Sequence, residues 1–157
     1  MNIGFYLLDI TANNTQHQTI LSSINELCVL RPYDNIVLFN NKFDAIDVDH
    51  KYYTLHISEA KYFKGIIFVF DIKSAMLTKT FPSPKQLLYL NEAEWASKKQ
   101  IPYTFWNSIY NNEDFELIAA NEDLYELSSI CWKQPIETIE KLNGELINNV
   151  IQKLALE

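Results

Sequence analysis

The segment Ile66-Ile67-Phe68-Val69-Phe70 sets five apolar residues in a row between Gly65 and Asp71. Successive side chains of a strand point to opposite faces, so such a run has no wet face and must be covered on both sides. Phe5-Tyr6-Leu7-Leu8 reads the same way inside an opening strand over residues 2–10. Two strands of this kind belong in the centre of a parallel sheet, where helical crossovers cover both faces.

The rest of the chain supplies those crossovers. Ile20, Leu21, Ile24, Leu27 and Cys28 recur at three- and four-residue spacing, predicting a helix with Thr15, Gln16 and His17 in its first turn and Pro32 beyond its end. Further strands are expected at 36–39, 52–57, 86–91 and 116–120, with a last short one at 136–139. Helices are expected at 73–81 (closed by Pro82 and Pro84), at 102–110 with Pro102 in its first turn, at 121–132, and at 143–156. At 157 residues the chain fits one domain, with no repeat or linker. The expected fold is a single Rossmann-like α/β domain, a doubly wound, mainly parallel sheet in the order 3-2-1-4-5-6.

Composition removes several function classes. The net charge is −7, the only arginine is Arg31, and the lysines are scattered, which disfavours neutralising a nucleic-acid backbone. No apolar run approaches the roughly 20 residues of a membrane span. The first residues carry no basic region and the first apolar stretch ends at Asp9, so no signal peptide and a cytoplasmic location are expected. Abundant Asn, Ile and Lys with only three glycines is a bias of AT-rich genomes, phage and other viral genomes among them; for such a source the location is the host cytoplasm. Cys28 and Cys131 stand alone, predicting two reduced core thiols and no metal site.

Open α/β sheets bind ligands beyond the carboxyl ends of their strands, where the strand order reverses. The expected order brings Asp9, Thr11, Asn14 and Thr15 beside Asp71, with Asn91, Glu92, Glu94 and Trp95 from the fifth strand and Asn121 from the sixth. No G-x-G-x-x-G, G-x-x-x-x-G-K-[ST] or G-x-S-x-G occurs, so neither a backbone phosphate cradle nor a hydrolase nucleophile turn is expected. No cofactor is evident. A receiver-like reading of Asp9 and Asp71 fails for want of a paired acid and the accompanying Thr and Lys.

His17, Asp71 and Glu92 are the candidate catalytic groups. His17 is a general base near the cleft or a solvated histidine of the capping region. Asp71 is functional or an N-cap. Glu92 and Glu94 share a face on a continuing strand and diverge on a helix; they bind a hydroxyl or a metal, or form a solvated strand end. Trp95 and Trp106 stack on a sugar or base, or pack in the core. His50 and His56 receive no role.

The opening strand, the Asn14-Thr15-Gln16-His17 helix start, residues 86–95 and the stretch Phe115-Glu116-Leu117-Ile118-Ala119-Ala120-Asn121-Glu122-Asp123-Leu124 resemble the N-terminal Rossmann-like half of GT-B fold glycosyltransferases. The resemblance implies a domain that holds a small-molecule or glycan acceptor while a second Rossmann domain binds a nucleotide-sugar donor. That second domain is not in this sequence, so a partner chain, a homo-oligomeric cleft or an unusual donor site is expected to complete the enzyme. The alternative is a non-catalytic accessory module that binds another protein.

Overall fold

The computed structural model describes residues 1–42, 49–82 and 85–155; Pro84 and Leu156, assigned above to a helix stop and a helix end, lie outside them. Seven strands form one all-parallel sheet in the order β3-β2-β1-β4-β5-β6-β7. They are β1 (Asn2–Tyr6), β2 (Asn35–Asn40), β3 (Tyr53–His56), β4 (Ile66–Val69), β5 (Lys85–Leu90), β6 (Phe115–Ala119) and β7 (Glu137–Thr138). The fold is the expected α/β Rossmann-like domain, and the last short strand extends the sheet by one beyond β6. The helices are α1 (Thr15–Leu30), α2 (Ile72–Thr78), α3 (Glu94–Ser97), α4 (Tyr103–Tyr110), α5 (Glu122–Cys131) and α6 (Gly144–Ala155). A 3-10 helix, Ile57–Tyr62, carries the chain from β3 towards β4 and was not anticipated from the sequence.

Strand direction explains which helix lies where. The step from β1 to β2 runs one way across the sheet, and the steps from β4 through β7 run the other. Right-handed crossovers therefore place α1 and the later crossover helices on opposite faces. The core divides accordingly. Ile3, Phe5, Leu38, Phe68 and Leu87 pack with Ile24 and Leu27 of α1 and Ile147 and Ile151 of α6. Tyr6, Phe39, Ile67, Val69 and Leu88 pack on the other face with Ala75 of α2 and Trp106 and Ile109 of α4. Each central strand thus buries both of its faces, as the uninterrupted apolar runs required. Every fully buried Phe or Leu contributes about 1.5–3 kcal/mol, so this double coverage dominates the stability.

The two helices of the first face meet closely. A Cβ on Gly144 would lie 2.5 Å from Glu26 Cβ and 2.6 Å from Leu27 N. The same approach lets the Gly144 N–H donate to Glu26 Oε2 at 2.9 Å and Ser23 Oγ donate to the Leu142 carbonyl at 3.1 Å. Arg31 Nε donates to Asn148 Oδ1 at 2.7 Å, closing the far end of the pair.

Some boundaries differ from the sequence reading. β1 ends at Tyr6 rather than at residue 10, because β2, its ladder partner, ends at Asn40 and leaves Leu8 and Asp9 to the following loop. Pro102 is the N-cap of α4, extended at ψ 147, and not part of the first turn. Cys28 is half-buried and its thiol is pushed up by burial, whereas Cys131 is exposed and not a core thiol.

Two outcomes follow from this packing. Gly144→Ala forces α6 away from α1 and lowers stability by about 1–3 kcal/mol, read as a shifted urea midpoint. Asp34 opposes the effect of its burial through hydrogen bonds from the N-terminal amino group and Arg31, which hold its carboxyl below the ordinary value. A lowered folded pKa gives stability that is present above about pH 4 and lost as pH falls through the folded value. Thermal midpoints measured from pH 6 to pH 2 should fall less steeply in Asp34→Asn than in the parent.

Candidate functional site

The carboxyl edge of the sheet carries most of the expected site residues, but many of them are committed to holding helix ends. Asn14 caps α1: its Oδ1 accepts from the N–H groups of Gln16 at 2.9 Å and His17 at 3.1 Å. The Thr11 N–H donates to His17 Nδ1 at 3.1 Å, and the Asn14 N–H donates to the Thr11 carbonyl. Thr11, Asn14 and His17 are thus brought together in one closed turn. Because Nδ1 accepts, the neutral ring carries its proton on Nε2, which leaves neither nitrogen free to act as a base.

Asp71 caps α2. Its Oδ1 accepts from the Ser74 N–H at 2.8 Å and its Oδ2 from Ser74 Oγ at 2.7 Å. Asn121 caps α5 by accepting from the Leu124 N–H at 2.9 Å. Asn side chains and carboxylates at these positions satisfy amides that a helix start leaves open. The same bonds fill the N–H cradle that a phosphate would need at α1.

Glu92 and Glu94 are not on a continuing strand. β5 ends at Leu90, Glu92 is exposed in the turn, and Glu94 opens α3 and is ion-paired with Lys98. The hydrogen bond that Lys98 donates to Glu94 holds its ammonium above the ordinary range against the pull of burial, and the charges of Glu94, Glu92 and Asp71 add to it. Three expected acids therefore share the field of one lysine. Burial, with the Glu94 and Glu92 charges added, also pushes up the Tyr110 hydroxyl. No group of three His, Cys, Asp or Glu side chains among the described residues is placed to hold a metal ion.

Trp95 packs edge-on against Tyr110, ring centroids 4.9 Å apart, and against Trp132 at 6.0 Å. Trp106 stacks on Tyr110 at 5.9 Å. Both tryptophans fill an aromatic cluster rather than present an open platform.

An open groove lies elsewhere on the same edge, over the first face. Phe5, Phe68 and Phe70 form a stacked row, with Phe5–Phe68 centroids 5.0 Å apart, and Tyr89 meets Phe70 edge-on at 6.1 Å. The Tyr89 hydroxyl donates to the Ile139 carbonyl at 2.8 Å, which draws the chain after β7 back over the end of β5. The result is a cavity of about 180 Å³ between the first turns of α1 and residues 140–142, lined by Gln16, Thr19, Tyr89, Asn91, Glu140 and Lys141 among others. The side chains of Gln16, Asn91, Glu140 and Lys141 hold no hydrogen bond or ion pair with the described residues.

Of these lining residues, the sequence singled out only Asn91 as a site residue. Gln16 was visible as a first-turn residue but not as one facing a cleft. Glu140 and Lys141 follow a two-residue strand, and no local pattern reports that this strand pairs at the far end of the sheet. Asp9 and Thr15 are exposed nearby, with no side-chain bond to the described residues.

No helix among the described residues is long and apolar enough to cross a membrane. Compared with family models, with curated proteins and with solved structures, the chain matches none of them.

The capping assignment has a measurable consequence. Asp71→Ala should lower stability by about 0.5–2 kcal/mol in urea unfolding, and Asp71→Asn, which keeps an accepting oxygen, by much less. A purely functional Asp71 would leave both midpoints unmoved.

Proposed function

We propose that the protein binds a hydroxyl-rich small molecule or glycan at the carboxyl edge of its sheet, as the acceptor side of a glycosyltransferase-like enzyme. The observation that carries this reading is the groove at the end of β5, where Gln16, Asn91, Glu140 and Lys141 converge with their polar groups unspent. Two amides, one acid and one ammonium offer donors and acceptors in equal measure, which suits hydroxyl groups, themselves both donors and acceptors. A diphosphate fits poorly, since the helix N-termini at this edge are closed by their own caps and one lysine stands beside a carboxylate.

In this reading the nucleotide-sugar donor sits on a partner chain or a second copy. Glu92 adjoins Asn91 and accepts no hydrogen bond from the described residues, which makes it the base of choice over Asp71 and His17, whose acceptor atoms are occupied.

A second reading, an accessory module that docks another protein, is favoured by the opposite end of the sheet. The edge strand β3 exposes Tyr53 and Leu55, and the neighbouring Tyr62 is 69% exposed. Apolar side chains on an open strand edge are a site of association. Light scattering that shows a strict monomer, with no partner drawn from native extract, would count against it.

Amide-shift titrations with simple sugars and with UDP-sugars test the first reading. Simple sugars should move the signals of Gln16, Asn91 and Lys141. Gln16→Ala combined with Asn91→Ala should weaken binding about tenfold, the loss of hydrogen bonds totalling about 1.4 kcal/mol, with an unchanged thermal midpoint. If no sugar or donor shifts any groove signal, alone or with candidate partner chains, the reading is wrong.

A further inference from the structure

The cavity at the end of β5 does not end at Thr19. A second depression of about 490 Å³ continues from it along the exposed side of α1, bounded by Gln18, Ser22 and Glu26 on the helix and by Lys141 and Asn143 on the facing loop. The two share Thr19, Lys141 and Leu142, so they form one groove with a narrow inner end and a wide outer run. From Gln16 to Glu26 the helix rises about 15 Å, longer than a single sugar ring.

The volumes decide how a ligand would lie. Pockets that hold a whole small molecule measure about 300–1,000 Å³. The inner cavity, at about 180 Å³, falls below that range and takes one small ring or end group. Anything larger must run outward along α1. We infer that the groove binds a linear, uncharged oligosaccharide, with its terminal unit beside Asn91 and Tyr89 and the following units along the Gln18–Ser22 side of α1.

The outer lining argues for this class. Ser22 and Gln18 are exposed on the helix, and Gln18 is tied only by a 3.3 Å bond from its Nε2 to the Ala12 carbonyl. Glu26, which accepts from the Gly144 N–H, and Lys141 are the charged side chains that line the outer run, one of each sign, so its wall carries no net charge that would demand a charged ligand. A polyanion meets a chain of net charge −7 and a single lysine in the groove. A peptide strand would need an open sheet edge to pair with. The groove has a helix on one side and a loop on the other.

This inference rests on the sugar-binding reading above, and one experiment separates the two. Calorimetric titration with glucose, cellobiose and cellotetraose, and with the corresponding α-linked series, should show affinity rising at least tenfold from the single ring to the tetrasaccharide in one of the series. Ser22→Trp, at an exposed position, fills the outer run. It should remove that gain while leaving monosaccharide affinity and the thermal midpoint unchanged. Binding that is equal at every length, or a length gain that survives Ser22→Trp, overturns the inference alone. No binding by any saccharide overturns both it and the reading it rests on.

Discussion

Everything in this protein depends on strands that bury both of their faces. A backbone covered on both sides must pair its polar groups within the sheet, and its side chains leave no room for polar atoms along most of their length. Ile3 and Phe5 are fully buried on one face while Tyr6 and Phe39 are buried on the other. Polar chemistry is thereby driven to the ends of the strands and to the helix surfaces beside them.

At those ends two demands compete for the same residue types. Each helix start leaves amides that need an acceptor, and a ligand needs donors and acceptors as well. Asn14, Asp71, Asn121 and Asn143 all answer the first demand, each accepting from the amides of its own helix. His56 does the same for the 3-10 helix, accepting from the Ser58 N–H at 3.3 Å. The polar rim of this sheet is in large part a set of caps. Among the residues that remain uncommitted, Gln16, Asn91, Glu140 and Lys141 converge on one groove.

The fold was legible because its signals are local and strong. The runs at residues 5–8 and 66–70 announce central strands, and the three- and four-residue spacing from Ile20 to Leu27 announces α1. Pro32 marked the end of α1 and Pro102 the entry to α4. The candidate site was legible only as an edge. Asn91 belongs to the groove, whereas Trp95 packs into an aromatic cluster and Glu94 is ion-paired with Lys98. Whether a polar side chain faces a ligand or its own helix is a matter of a rotamer and a neighbour, and spacing along the chain contains neither.

By itself the sequence determined the class of structure: seven strand segments, the crossover helices between most of them, a parallel sheet covered on both faces, and polar residues gathered at its carboxyl edge. The physical reason is that burial and backbone pairing act through periodicity and composition, which are written in order along the chain. Tertiary structure alone decided where the groove is. It is made when the Tyr89 hydroxyl holds the Ile139 carbonyl and Gly144 lets α6 close on Glu26, contacts between residues 50 and 118 positions apart. Only once those distant segments are packed does the loop carrying Glu140 and Lys141 come to lie opposite Gln16.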